Sequence, residues 1–125
     1  MTRLEHVNIS VPDARATAAV LTSLFGWKTR WEGAAMGNGY SVHVGTDDSY
    51  IALYSPGHPM TDGEDRYTRY GALNHIGLVV DDLDAAEAAV KAAGYETHSH
   101  ADYEPGKRFY FDGPDGVEFE LVSYA

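Results

Sequence analysis

Two ten-residue stretches of the chain, Leu4 to Asp13 (LEHVNISVPD) and Leu73 to Asp82 (LNHIGLVVDD), are near-copies 69 residues apart. Each opens with Leu, one polar residue and a His. Each then alternates apolar positions and stops at an acidic residue able to cap a helix. A repeat restricts the architecture more than any composition figure does. This one implies two copies of one supersecondary unit in a single small domain, with a His at the same place in each.

The pattern on either side of the repeat extends the two units. Leu4 to Val11 reads as a strand, with Val7, Ile9 and Val11 on one face and Leu4, His6, Asn8 and Ser10 on the other. Asp13 caps a helix over Ala14 to Phe25, striped by Thr17, Leu21 and Leu24, and Gly26 stops it. Strands follow at Trp27 to Trp31, Tyr40 to Val44 and Ser49 to Tyr54, with Gly33 to Gly39 as a glycine-rich loop and Gly45 to Asp48 as a turn. The second unit repeats the plan. A strand covers Leu73 to Val80, and Asp81 or Asp82 caps a helix striped by Leu83, Ala86, Val90 and Ala93. Gly94 ends that helix, and strands follow at Tyr95 to His98, Lys107 to Asp112 and Val117 to Val122, with Ala101 to Gly106 as a loop.

The fold class expected is therefore α+β, with two βαβββ modules whose mixed sheets form a cup and carry a helix outside each. The single domain spans 1–125, with module one at about 1–55, a connector at 56–71 and module two at 72–125. The connector is long for a compact domain, and Tyr67 and Tyr70 are the residues expected to pin it.

Composition narrows the chemistry. The chain has no cysteine, which excludes disulfides, thiolate catalysis and cysteine-held metal clusters, and leaves His, Asp and Glu as strong metal ligands. The net charge is -10, from 19 acidic and 9 basic residues, which argues against nucleic acid as a partner. MTRLEHVN lacks the apolar run of a signal peptide, and no stretch approaches a membrane span. The expectation is a cytoplasmic protein with no membrane partner.

Each sheet must bury one apolar face under its helix. In the last strand that face holds Val117, Phe119 and Leu121, while Glu118, Glu120 and Val122 point the other way. The opposite faces then carry His6, His75 and Glu120. Two imidazoles and one carboxylate, with positions left open, suit a catalytic divalent metal such as Mn, Ni, Fe, Co or Zn. Glu118 lies on the same face and is expected to meet solvent, with general base as its alternative role. His98 and His100, two apart, would share one side of a strand as a weak second metal site; His43 sits between Val42 and Val44, and His58 is expected to be exposed. Gly37-Asn38-Gly39 lacks the Lys-Ser or Lys-Thr of a phosphate loop.

LEHVNISVPD, LNHIGLVVDD and the ending FYFDGPDGVEFELVS together resemble the vicinal oxygen chelate superfamily, over essentially the whole chain. That superfamily includes glyoxalase I, fosfomycin-resistance proteins, extradiol dioxygenases and bleomycin-resistance proteins. The resemblance implies paired βαβββ modules around a divalent metal, with His6, His75 and Glu120 as its protein ligands. One departure matters. The position matching Glu120 in module one is Ala52, where glyoxalase I has a metal-binding Glu and extradiol dioxygenases a His. Ala52 cannot bind metal through its side chain, which speaks against both of those ligand sets. Asn8 stands where fosfomycin glutathione transferases have a Thr.

The function expected is a glyoxalase-like, metal-dependent lyase, isomerase or transferase. It would act on a small oxygenated substrate by Lewis-acid stabilisation of an oxyanion or enolate. Asn8, Tyr50, Tyr54, Tyr110 and Arg108 are the residues expected to bind substrate; no catalytic base is identifiable. The alternative is a metal-free protein of the bleomycin-resistance type, sequestering a cationic small molecule in an acidic, aromatic groove. A homodimer is expected in either case, because sheet edges invite a twofold partner.

Overall fold

A computed structural model describes residues 1, 3–61, 67–68, 70–103 and 106–125. Backbone packing divides the chain into two compact units, Met1–Thr61 and Asp62–Ala125.

The first unit contains strand β1 (His6–Ser10), helix α1 (Ala14–Phe25), strand β2 (Lys28–Ala35), a short 3-10 turn (Met36–Asn38), strand β3 (Gly39–Gly45) and strand β4 (Tyr50–Ser55). The sheet order is β1-β4-β3-β2, with β1 parallel to β4 and the remaining pairs antiparallel. Helix α1 begins where the Asp13 carboxylate accepts the Ala16 N–H at 3.1 Å. It ends at Gly26, whose φ of 69° is open to glycine at no steric cost. Its buried stripe, Ala14, Thr17, Ala18 and Leu21, lies against β3 and β4, where Val42, Val44, Ile51 and Leu53 are buried.

The second unit repeats this order with β5 (Ile76–Val79), α2 (Leu83–Ala92), β6 (Thr97–Tyr103), β7 (Gly106–Asp112) and β8 (Glu118–Ser123). Its sheet order, β5-β8-β7-β6, matches the first strand for strand. The Asp82 carboxylate caps α2 by accepting the Ala85 N–H at 3.0 Å, and Gly94 follows the helix with a φ of 96°. Val90 of α2 is buried, as are Phe109, Phe111, Phe119 and Leu121 on β7 and β8, the two strands that α2 packs on most. Phe111 and Phe119 stack with ring centres 5.3 Å apart.

The two units agree in register as well as order. Asn8 of β1 and His43 of β3 both pair with Ala52 of β4. Gly77 of β5 and Tyr110 of β7 both pair with Glu120 of β8. Ala52 and Glu120 therefore hold the same place in their sheets.

Three sequence expectations change. The expected loop Gly33 to Gly39 is mostly strand, because Gly33, Ala34 and Ala35 pair with Ser41, Tyr40 and Gly39; only Met36–Asn38 turns, with Gly37 and Asn38 at positive φ. The expected loop from Ala101 likewise continues β6, since Ala101, Asp102 and Tyr103 pair with Arg108, Lys107 and Gly106. In both cases a cross-strand partner overrides weak local strand propensity. Finally β5 starts at Ile76, so His75 stands just before the strand. Of the connector, 62–66 and 69 lie outside the described residues. Tyr67 donates its hydroxyl proton to Glu118, whereas Tyr70 is fully exposed.

Candidate functional site

In the first unit the face turned away from α1 carries His6 and Asn8 on β1, Tyr50, Ala52 and Tyr54 on β4, and His43 on β3, as alternation and register require. The rings form a row across the strands. His6 stacks on Tyr50 at 4.8 Å between centres, Tyr50 on His43 at 4.7 Å, and His43 meets Trp31 at 5.1 Å. Asn8 is exposed and Ala52 buried. The Tyr54 ring lies close to Gly39, where an added Cβ would approach it to 2.7 Å.

A β-bulge supplies the end of this row. Thr29 pairs with Val44 and Trp31 with His43, which leaves Arg30 as one additional residue on β2. Without it, Trp31 would share Thr29's side, toward the helix. With it, both Arg30 and Trp31 turn to the ring-bearing face, as bulges re-aim side chains. The Arg30 guanidinium lies 4.4 Å from the Tyr50 ring centre and donates to the Thr46 carbonyl at 3.1 Å. Gly33 makes room for the indole: a Cβ there would sit 2.8 Å from Trp31 Cζ2.

His6 is also held from behind, since its Nδ1 lies 2.8 Å from Glu5 Oε1. That hydrogen bond keeps the Glu5 carboxyl below its ordinary range, as do the charges of His6 and Arg30. Burial pushes the His43 imidazole toward its neutral form, and the cationic neighbours His6 and Arg30 push the same way.

The second unit carries the counterpart face. His75 Nε2 lies 3.0 Å from Glu120 Oε1, and Arg108 Nη1 lies 2.9 Å from Glu120 Oε2. The Arg108 and Glu120 side chains retain only 12% and 11% of their exposure. Arg108 also donates to the Gly106 carbonyl from Nη2 at 3.1 Å. His75 Nδ1 meets Asn74 Oδ1 at 2.7 Å, just as His6 meets Glu5. Tyr110 stands edge-on to His75 at 5.4 Å and stacks on His98 at 6.2 Å. Glu118, expected in solvent, is buried; its carboxylate accepts the Tyr67 hydroxyl, a partner distant in sequence.

The expectation for His98 and His100 is also overturned. A bulge between His98 and Ala101, with Ser99 at a φ of 57°, sends the two imidazoles to opposite faces. His98 joins Tyr110, whereas His100 lies on Phe109 and reaches Glu87 of α2 at 2.6 Å. His58 is exposed, as expected.

Of the expected site residues, the structure thus joins His75, Glu120, Arg108 and Tyr110 on one face, and His6, Asn8, Tyr50 and Tyr54 on the other. His43, Trp31 and Arg30 belong to the second group. Alternation about Val42 and Val44 was the only sequence signal for His43; the bulge that places Arg30 and Trp31 left none. Among the described residues, no three His, Asp or Glu side chains are gathered closely enough to hold a metal ion.

Two helices, each outside a four-stranded mixed sheet, and a doubled βαβββ order define the glyoxalase-like class of α+β proteins. Residues 3–121 match the Glyoxalase/Bleomycin resistance protein/Dioxygenase superfamily, and the chain belongs to it. Solved structures share the fold. A glyoxylase/bleomycin resistance protein/dioxygenase domain from Frankia sp. EAN1pec is 23% identical, with a TM-score of 0.84 over 98% of this chain and 92% of that one. FosX, a fosfomycin resistance protein of Listeria monocytogenes complexed with Mn(II) and sulfate, is 21% identical, with a TM-score of 0.73 over 98% and 93%. TnmS3, an antibiotic binding protein from Streptomyces sp. CB03234, is 17% identical, with a TM-score of 0.74 over 100% and 98%. No curated protein sequence matches the chain.

Proposed function

We propose that this protein is a divalent-metal-dependent enzyme acting on a small oxygenated substrate, with His6, His75 and Glu120 as the metal ligands. The carrying observation is the way His75 is held. Oxygen atoms face both of its ring nitrogens, Asn74 Oδ1 at Nδ1 and Glu120 Oε1 at Nε2. A neutral ring has one proton for two acceptors, so the second place calls for another proton or a metal ion. Metal-bound imidazoles characteristically give their other N–H to a neighbouring oxygen. Asn74 and Glu5 stand ready to accept it from His75 and His6.

The donor set of two imidazoles and one carboxylate fits Mn, Ni, Fe, Co or Zn. Such an ion, when bound, supplies Lewis acidity toward an oxyanion or enolate. The protein's own residues do the positioning. Arg108 holds Glu120 Oε2 and leaves Oε1 beside His75. Glu5 and Asn74 orient the two imidazoles. In the first unit Asn8, Tyr50 and Tyr54 share a face with the small Ala52, in the second Tyr110 stands opposite Glu120, and these are the residues that would bind substrate. The Mn(II) complex of FosX, a protein of the same fold, supports the reading.

Metal analysis of protein purified without a His tag tests it. The expected result is stoichiometric divalent metal that is lost in His75→Ala and in Glu120→Gln. A metal-free protein that takes up none of the five ions would overturn it. The second reading, a metal-free binding protein, then stands; the row of stacked rings in the first unit favours it.

A further inference from the structure

We infer that the ring-bearing face of the first unit binds a planar aromatic anion, such as an aryl carboxylate or phenolate, lying against Trp31 and His43 with its charge on Arg30. This deepens the proposed function by naming a substrate class, and it rests on that reading only in taking this face as the one that receives the reactant.

Four observations converge on the assignment. First, the row from His6 through Tyr50 and His43 to Trp31 offers aromatic surface, and its last member keeps 50% of its exposure. A half-exposed indole in line with other rings is a stacking surface for a further planar group. Second, the row is built by a device. The Arg30 bulge turns two consecutive side chains to the same face, where regular pairing would have sent Trp31 to the helix side. Third, Gly33 lies under the indole, where any side chain would collide with it. Fourth, the charge on this face opposes that of the protein. The chain carries -10 overall, yet Arg30 is exposed, its guanidinium 4.4 Å from the Tyr50 ring centre. Among the described residues no carboxylate stands within ion-pair distance of it, and it gives one donor group to the Thr46 carbonyl. A guanidinium keeps five N–H donors in a fork that matches a carboxylate. The acids within electrostatic range of Arg30 are engaged elsewhere, Glu5 by His6 and the Tyr50 hydroxyl and Asp47 by Lys28. A cationic ligand, expected from net charge alone, would meet the exposed Arg30 guanidinium here.

The test is a titration of the intact protein with 2-naphthoate, with 2-naphthylmethylammonium as the cation of similar shape, and with a saturated bicyclic carboxylate as the non-planar anion. Binding is read by calorimetry and by quenching of tryptophan fluorescence, and metal content is measured on the same samples. The expected order is naphthoate tightest, with each control at least tenfold weaker. Arg30→Met keeps a long side chain over Tyr50 and should abolish the preference for the anion. Gly33→Val should displace the indole and weaken naphthoate at least tenfold, while the far-ultraviolet spectrum and the melting temperature stay near those of the parent. Equal affinity for the anion and the cation would overturn the inference, as would naphthoate binding unchanged in both variants. The two readings fail separately. Metal without naphthoate binding sinks this one alone, and naphthoate binding without metal sinks the proposed ligand set alone.

Discussion

The Nε2 of His75 and the Oε1 of Glu120 lie 3.0 Å apart, while Arg108 takes the other oxygen of the same carboxylate. Each oxygen of one buried carboxyl thus answers to a different partner. Arg108 is a permanent charge. On the proposed reading a divalent ion would sit beside His75, so Glu120 is where its binding would be read out as stability.

Replacing Arg108 with Met should make that readout visible. The variant leaves Glu120 buried with His75 as its remaining partner, and breaking a buried pair in this way costs about 3 kcal/mol. Urea unfolding in EDTA should show the loss. Saturating Mn or Zn should restore more stability to the variant than it adds to the parent, because the carboxylate that has lost Arg108 then gains a cation. An equal gain in both proteins would mean that the ion does not reach Glu120.

The residue before each histidine yields a second prediction. Glu5 and Asn74 both place an oxygen on Nδ1 of the following imidazole. Outer partners of this kind are worth roughly 10- to 100-fold in metal affinity. Glu5→Ala and Asn74→Ala should each weaken divalent binding within that range, by competition with a chromogenic chelator, and leave the stoichiometry unchanged. Affinity equal to the parent's in both variants would show that these contacts do not orient ligands.

Local signals made much of the fold legible. Asp13 and Asp82 as caps, Gly26 and Gly94 as stops, and the alternation in β1 all act within a few residues, and all appear in the structure, whereas β8 is buried along its whole length. What sequence hid was what depends on pairing. A bulge breaks alternation without marking itself in composition, so Trp31 and His98 were placed by register, not by spacing. Glu118 reads as a solvent residue until Tyr67 arrives from 51 positions away. Arg108 and Glu120 meet only once β7 and β8 are aligned, with Tyr110 opposite Glu120 and Arg108 opposite Val122. The two histidines were visible because duplication repeats them; Glu120 has Ala52 as its counterpart, and its contact with Arg108 belongs to the second unit.

The caps themselves carry measurable stability. Asp13→Ala and Asp82→Ala each remove a carboxylate that accepts a first-turn N–H, at 3.1 and 3.0 Å. Each should cost about 1 kcal/mol by chemical unfolding. The corresponding Asn variants should keep most of it, since the amide oxygen accepts the same bond. A loss as large in Asn as in Ala would assign the effect to charge at the helix terminus instead.

Glu87 predicts how the second unit responds to acid. Its Oε2 accepts from Thr97 Oγ1 at 2.5 Å and lies 2.6 Å from His100 Nε2 and 3.5 Å from Lys91 Nζ, tying α2 to the edge strand β6. The Thr97 hydrogen bond, then that of His100, lowers its pKa from 4.5 to about 2. A carboxyl held lower in the folded state than in the unfolded one stabilises the fold fully above the unfolded value, and that stabilisation fades as pH falls toward the folded one. Stability owed to Glu87 should therefore be complete above about pH 4.5 and nearly gone at about pH 2. Glu87→Gln keeps the shape and removes the titration, so the gap in urea midpoint between parent and variant is the quantity to follow, other acids being common to both. The gap should narrow steadily across that window. A gap of constant size would show that the carboxylate is not held in its ionised form by Thr97 and His100.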